Sequence, residues 1–201
     1  MVSVYDLKPR FQKLLRPFCA RLAAAGVTAN QVTVSAAAVS VALGAAVWAT
    51  RGAAWTLLLL PPVLFLRMAL NAIDGMLARE FDQKSRLGAV LNELGDVVSD
   101  TALYLPFARI EGMDGLLVAL LVAVAVMTEM TGVVAVQIGA SRRYDGPFGK
   151  SDRAVFFGCL AVALGLGLPP GLWTEIVLAL AVLAGCFTIF NRARAALKEN
   201  A

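Results

Sequence analysis

The chain has 201 residues, of which 59% are apolar and 16% are charged, and its mean hydropathy is +0.75. This composition excludes an ordinary soluble domain, because such domains carry about 25% charged residues. The net charge of +4 is compatible with nucleic-acid binding, but positive loops of membrane proteins more often face the cytoplasm and its anionic lipids, so we expect membrane lipids and no nucleic acid as partners.

The first predicted element is an amphipathic helix at the membrane interface, within residues 1–26. Apolar residues recur there at helical spacing, and basic residues fill other positions. Pro17 is expected to kink or divide this helix, because a proline inside a helix removes a backbone donor. Either Thr28 or Asn30 is expected to cap the helix that follows.

Six apolar stretches come next, each near the length of about 20 residues that crosses a bilayer. They predict an all-α integral membrane protein with a single domain over residues 1–201, in which a six-helix bundle occupies residues 30–194. Pro61 and Pro62 lie inside the second stretch and are expected to bend it. The six stretches are residues 30–50, 53–79, 86–108, 115–140, 152–168 and 172–194.

The placement of lysine and arginine predicts the orientation in the membrane. One side collects the basic residues of the N-terminal helix and of segments 79–86, 142–153 and 192–198, and that side should be cytoplasmic, as in a bacterial inner membrane. Arg67 is the exception, because it lies inside the second span. At the rise of an α-helix, it is roughly 18 Å from the cytoplasmic end of that span. It is either buried against acids or exposed in a polar cavity.

Polar side chains at Asn71, Asp74, Asn92 and Asp96 interrupt two of the apolar stretches. An ionisable group at membrane depth costs roughly 2.5 to 3.5 kcal/mol, so such a cluster indicates a functional site. Helical rise places Asp74 and Asn92 about 8 and 9 Å inside the interface, and Asn71 and Asp96 about 12 and 15 Å. Two antiparallel helices would therefore turn these groups toward one another, in a cavity that opens to the cytoplasm. With no histidine in the chain, these oxygens suit Mg²⁺, Mn²⁺ or Ca²⁺.

The same residues carry a resemblance to a known family. The pattern is Asn71-x2-Asp74-Gly75-x2-Ala78-Arg79-x8-Gly88-x3-Asn92-x3-Asp96. It resembles the signature of the CDP-alcohol phosphotransferases, also called CDP-alcohol phosphatidyltransferases, which have aspartate at the four positions held here by Asn71, Asp74, Asn92 and Asp96. The six-span layout, the N-terminal helix and the entry to the first span are also similar to that family.

The resemblance implies a homodimeric enzyme that moves a phosphatidyl group from CDP-diacylglycerol to a hydroxyl acceptor and releases CMP. It implies that Asp96 is the general base and that Mg²⁺ or Mn²⁺, as one or two ions, is the cofactor. The implied metal ligands are Asn71, Asp74, Asn92 and Asp96. The implied contacts with the cytidine nucleotide and the donor phosphates are Gly75, Ala78, Arg79, Gly88, Asn30 and Thr33.

Two departures from the family pattern bear on the metal. Asn71 and Asn92 are amides, so the four motif positions carry two negative charges instead of four. Three interpretations stay open: a more weakly bound pair of ions, one tight ion, or missing charge supplied by Glu93 or Asp100. For Asp100 the alternatives are a structural pairing with Arg67 or a polar contact in the core.

A second basic segment contains Lys150 and Arg153, three residues apart at the start of a predicted helix. They are expected to hold a phosphate, on the donor or on a phosphorylated acceptor, and Arg192 is a weaker candidate of the same kind. The alternative is an ordinary positive loop on the cytoplasmic side. A phosphate site of this kind favours glycerol phosphate or inositol phosphate as the acceptor. Glu129, inside the fourth span, is expected to make a polar contact at a helix or dimer interface.

A second class of function stays open beside the transferase. The amides at Asn71 and Asn92 favour a non-catalytic protein that binds lipid or nucleotide, or a small transporter that uses the same cavity. A transporter needs a path to the opposite membrane face, whereas the polar groups here lie toward the cytoplasmic half. The enzyme is favoured by the joint retention of Asp74, Gly75, Arg79, Gly88 and Asp96.

Overall fold

The computed structural model describes residues 4–199, with side chains from residue 11 onward. Every regular element in this range is a helix, which agrees with the predicted all-α class. The elements are α1 (Val4–Ala24), α2 (Ala29–Thr50), α3 (Ala54–Leu58), α4 (Leu60–Glu80), α5 (Arg86–Tyr104), a 3-10 helix (Leu105–Arg109), α6 (Gly115–Gln137), α7 (Lys150–Gly165) and α8 (Leu172–Glu199).

Four helical segments are long and apolar enough to cross a membrane: Ala29–Thr50, Ala54–Glu80, Gly115–Gln137 and Leu172–Glu199. Large apolar side chains project from them, such as Leu116 at 70% exposure and Phe187 at 64%. Water would penalise so many exposed apolar groups, whereas lipid would not. Six spans and the location of α1 at the interface stay predictions.

The prolines act differently in α1 and in the second predicted span. α1 runs from Val4 to Ala24, so the expectation that Pro17 divides it is wrong. Pro17 and Lys13 are both exposed, and solvent can therefore satisfy the carbonyl group that loses its partner. By contrast, the helix is interrupted at Leu59, two residues before Pro61, and α4 starts at Leu60.

Within this range, the chain divides into two compact units. The first contains the chain through Ser40 together with Pro62–Ser99, so it holds α1 and the sequence motif. α1 packs on α4 through apolar side chains, and Arg16 makes two 3.0 Å contacts with the Glu80 carboxylate. The buried core residues of this unit are Cys19, Ala29, Val32, Ile73, Met76 and Leu77. That the whole chain is one domain stays a prediction.

The start of α2 is fixed by side-chain caps. Thr28 Oγ1 accepts from the backbone of Gln31 at 3.2 Å, and Gln31 Oε1 accepts from the Thr28 backbone at 2.9 Å. This reciprocal arrangement is a capping box. Gln83 adds a bond from the loop before α5, because its Oε1 accepts from the Ala29 backbone at 2.7 Å. Thr28 is therefore the cap, and Asn30 lies in the first turn of α2.

The second unit contains Val41–Pro61 and the chain from Asp100 onward. Its interior includes aromatic rings, with Tyr104 stacked on Phe157 at 4.0 Å between ring centroids. α2 and α5 approach closely in this unit, because a Cβ at Gly44 would lie 1.9 Å from the carbonyl oxygen of Ala102. No side chain larger than hydrogen fits there without moving a helix backbone.

We predict that Gly44→Ala destabilises the protein by about 1 to 3 kcal/mol, the usual cost of overpacking a core position. Thermal unfolding of the purified chain in detergent measures the effect. Gly171→Ala is the matched control, because nothing lies within 4 Å of the added Cβ. Equal unfolding temperatures for the two variants would contradict the close helix approach.

Candidate active site

The first unit brings together residues of the motif on α4 and α5. Asn71 and Asp74 lie three residues apart on α4, and Asn92 and Asp96 lie four apart on α5, so each pair shares a helix face. The amide nitrogen of Asn71 donates to Asp96 Oδ1 at 3.2 Å. This bond joins α4 and α5 within the first unit.

Arg67 is the second partner of Asp96. Its Nη2 atom lies 3.4 Å from Asp96 Oδ1 and donates to the Asp96 backbone carbonyl at 3.1 Å. The Arg67 side chain is 5% exposed and that of Asp96 is 21% exposed. Of the two alternatives for Arg67, burial against an acid is therefore the one observed. Arg67 lies one turn before Asn71 on α4, so both reach the same carboxylate.

Asp74 is held from α2. It is 5% exposed, and its Oδ2 atom lies 2.7 Å from the hydroxyl oxygen of Thr33. The same hydroxyl lies 3.0 Å from the backbone carbonyl of Ala29. A threonine hydroxyl carries one proton, so it donates to one of these acceptors at a time. Thr33, assigned to the nucleotide site by resemblance, thus contacts the retained carboxylate of the motif.

The contact between Asn71 and Asp96 depends on the amide. An asparagine NH₂ group donates, whereas an ionised aspartate only accepts. Aspartate at position 71 would therefore place a second acceptor about 3.2 Å from Asp96 Oδ1, where the amide nitrogen now lies. The amide at position 71 therefore binds Asp96, whereas an ionised carboxylate at the same position would repel it.

Small residues admit polar side chains at two points of the motif. A Cβ at Gly75 would lie 2.9 Å from Nη2 of Arg79, whose guanidinium group covers that part of α4. A Cβ at Gly88 would lie 2.8 Å from Oδ1 of Asn30. The structure therefore brings Asn30 to the start of α5. Ala78 is half-buried beside the core of the unit.

Two carboxylates and two amides are the candidate metal ligands. Among residues 11–199, no group of three or more histidine, cysteine, aspartate or glutamate side chains is arranged to hold a metal ion. Oxygen donors from Asp74 and Asp96, with amide oxygens from Asn71 and Asn92, fit a hard divalent cation. Their two negative charges match the charge of one such ion. Asn92 is exposed and Glu93 is half-buried on α5.

The predicted phosphate ligands Arg153 and Arg192 lie in the second unit, where each is 1% exposed. Arg153 Nη2 contacts Asp100 Oδ2 at 3.0 Å and Glu129 Oε1 at 2.8 Å. Arg192 Nη1 lies 3.5 Å from the same oxygen of Glu129. Asp100 thus has a structural pairing, with Arg153 as the observed partner. Lys150, the first residue of α7, is half-buried.

Sequence reasoning missed the partners of Glu129, which also contacts Arg142 at 3.2 Å. The available signal was that a carboxylate inside an apolar helix needs a buried cation. It does not say which of several arginines fills that role.

The segment before α7 is held by ion pairs of its own. Arg143 binds both oxygens of Asp145, at 2.9 and 3.1 Å, and contacts Glu199 at 2.6 Å. The hydrogen bond from Arg143 lowers the pKa of Asp145 below its usual value. The loop between α6 and α7 is therefore tied to the end of α8.

Comparisons with known proteins identify the family. A family model for CDP-alcohol phosphatidyltransferase matches residues 26–189. The inner membrane protein YnbA of Escherichia coli (strain K12) is 44% identical over 200 residues, which are 100% of this chain and 99% of that protein. The relative and the apolar helices together support an integral membrane protein.

Two crystal structures of the phosphatidylinositol phosphate synthase PgsA1 of Mycobacterium tuberculosis share the fold. The one with CDP-DAG bound has a TM-score of 0.76 at 19% identity and covers 92% of this chain and 94% of that chain. The one in complex with manganese and citrate has a TM-score of 0.74 at 20% identity, with coverage of 90% and 88%. The family match over residues 26–189 and the identity with YnbA establish that this chain belongs to the CDP-alcohol phosphatidyltransferase family.

Proposed function

We propose that the chain transfers a phosphatidyl group from CDP-diacylglycerol to the hydroxyl group of a small acceptor and releases CMP. The observation that carries this proposal is that both retained carboxylates, Asp74 and Asp96, are held by polar partners within one compact unit. The family match and the fold shared with a synthase crystallised with CDP-DAG support the choice of donor.

In the proposed reaction, the acceptor oxygen attacks the phosphorus atom that carries diacylglycerol. A bond from that phosphorus to the acceptor oxygen forms, and the bond to the oxygen shared with CMP breaks, so CMP leaves with the bonding electrons. Asp96 takes the proton of the acceptor hydroxyl. Arg67 and Asn71 are positioning residues, because their contacts fix the orientation of the Asp96 carboxylate.

A divalent ion, Mg²⁺ or Mn²⁺, would be held by Asp74 and Asp96 with the amide oxygens of Asn71 and Asn92. When bound, such an ion neutralises the donor pyrophosphate and stabilises the CMP leaving group. We propose one ion per chain, since two carboxylates, one of them already paired with Arg67, leave too little negative charge at the motif positions for two divalent ions. The ion pair of Asp100 with Arg153 argues against Asp100 as an extra ligand.

The remaining motif residues would bind the donor. Arg79 would contact its phosphates, and Gly75, Ala78 and Gly88 would admit the nucleotide near Asn30 and Thr33. The basic residues that flank the motif support a site that faces the cytoplasm. We also propose a homodimer embedded in membrane lipids, on the basis of family resemblance.

A non-catalytic protein that binds lipid or nucleotide, or a small transporter, is the second candidate. The observation that favours it is the loss of two of four negative charges at Asn71 and Asn92. It predicts binding of CDP-diacylglycerol without release of CMP.

The direct test incubates the purified chain with CDP-diacylglycerol, Mg²⁺ or Mn²⁺ and a pool of small alcohols. We expect release of CMP that depends on the metal, together with a new lipid whose mass identifies the acceptor. Binding of CDP-diacylglycerol without CMP from any acceptor would favour the second candidate.

Asp96→Asn separates proton transfer from binding. We predict that it abolishes transfer and leaves binding of CDP-diacylglycerol largely intact, because the amide keeps the shape of the side chain but cannot act as the base. CMP release and lipid binding are measured side by side. Asp82→Asn, in an exposed loop, is the matched control. Equal loss of binding and turnover would make Asp96 chiefly a metal ligand.

Arg67→Gln tests the positioning role. We predict that kcat falls about 10- to 100-fold, the usual effect of removing a group that orients an active-site ligand, while KM for CDP-diacylglycerol changes little. Arg67→Lys, which keeps the charge, should recover part of the loss. Arg109→Gln is the control, because Arg109 is exposed and lies over the Trp48 ring at 4.9 Å. An unchanged kcat in Arg67→Gln would contradict the positioning role of Arg67.

A further inference from the structure

Five charged side chains in the second unit form a buried group that we call the Glu129 cluster. It contains three cations and two anions, contributed by helices α5, α6, α7 and α8 and by the segment before α7. The side chains of four members are at most 9% exposed, and Arg142 is half-buried. The members are Asp100, Glu129, Arg142, Arg153 and Arg192.

Arg153 uses most of its hydrogen-bonding capacity inside this cluster. Its Nε and Nη2 atoms donate to Asp100 Oδ2 at 3.3 and 3.0 Å, and Nη2 also donates to Glu129 Oε1 at 2.8 Å. Its Nη1 atom donates to the hydroxyl of Thr128 at 2.9 Å. A guanidinium group has five N–H donors in a fixed fork, and both edges that would bind a phosphate already bind protein oxygens.

Glu129 is the point on which the three arginines converge. Its Oε1 atom faces Arg153 and Arg192, and its Oε2 atom faces Arg142 at 3.2 Å. Arg192 also donates to the backbone carbonyls of Thr128 and Asp145. Carboxylate and phosphate oxygens accept the same charge-assisted hydrogen bonds from arginine, so Glu129 fills the space between the three guanidinium groups that an anionic ligand would need.

Displacing Glu129 is unfavourable, because its side chain belongs to α6 and is 9% exposed. A phosphate that took its place would leave a buried carboxylate without its cations, which is strongly destabilising. The cluster carries one positive charge in excess of its two acids. Arg142, the most exposed of the three arginines, is paired with Glu129 and also lies over the Tyr144 ring at 5.0 Å. Lys150 alone offers one cation and no bidentate fork.

We propose that Glu129 is a built-in anion that closes the arginine cluster to phosphate, and that the acceptor is consequently an uncharged alcohol. The choice of acceptor class rests on the proposed transferase function. The proposal replaces the expectation, drawn from Lys150, Arg153 and Arg192, that glycerol phosphate or inositol phosphate is the acceptor. It assigns the three arginines and two acids a structural role in joining helices of the second unit.

The first test uses inorganic phosphate and needs no catalysis. Thermal unfolding of the full chain in detergent is measured with sodium phosphate and with sodium chloride at equal ionic strength. Phosphate stabilises folded proteins generally through its exclusion from their surface, so we expect the wild type to show only the small difference between the two salts that the control variant also shows. We expect Glu129→Gln to unfold at a lower temperature in chloride and to recover part of the loss in phosphate, which can then enter the cluster. Glu111→Gln, at an exposed position, should show neither effect.

Phosphate-specific stabilisation of the wild type that is lost in Lys150→Gln would overturn the proposal, even if Glu129→Gln does not fold.

The second test compares glycerol with glycerol phosphate, and inositol with inositol phosphate, in the CMP-release assay. We expect kcat/KM to favour each uncharged alcohol by about tenfold or more, because the phosphorylated form finds no unpaired cation pair. A preference for the phosphorylated acceptors would overturn the proposal. If none of the four acceptors releases CMP, the result counts against the transferase function, and the unfolding measurement in phosphate then decides whether the arginine cluster is closed to phosphate.

Discussion

Charged side chains inside apolar helices must be paired, and this constraint governs both units of the protein. An unpaired charge at membrane depth is costly, and the cost falls when an opposite charge and hydrogen-bond partners lie close. In the first unit the constraint appears as Arg67 beside Asp96, and in the second as three arginines around Glu129. The helices can therefore carry polar chemistry within otherwise apolar sequences.

The same constraint explains why asparagine is compatible with the first motif position. An amide at Asn71 donates to Asp96, while Arg67 supplies positive charge to the same oxygen. The site thereby keeps two carboxylates that are oriented by protein groups. With carboxylates at all four motif positions, more of that positive charge would have to come from bound cations. The amide of Asn71 and the buried Arg67 one turn away therefore both offset the charge of Asp96.

The sequence predicts the helices and the contact of Asn71 with Asp96 because both depend on local spacing and helical rise. It does not predict which buried base binds which buried acid. Asp100 pairs with Arg153 on α7. Glu129 contacts three arginines that lie 13, 24 and 63 residues further along the chain. Such partners are fixed by tertiary packing, which periodicity does not contain. Pro17 also does not divide α1, because exposure of the affected helix turn makes a proline tolerable there.

The central claim is that the amides and Arg67 reduce the site to one divalent ion, and Mn²⁺ binding measured by electron paramagnetic resonance tests it most directly. The purified chain should bind one Mn²⁺ per chain. The double variant Asn71→Asp, Asn92→Asp should bind a second ion close enough to broaden the spectrum by spin coupling. Two coupled ions in the wild type, or no additional ion in the double variant, would contradict the charge balance proposed for this site.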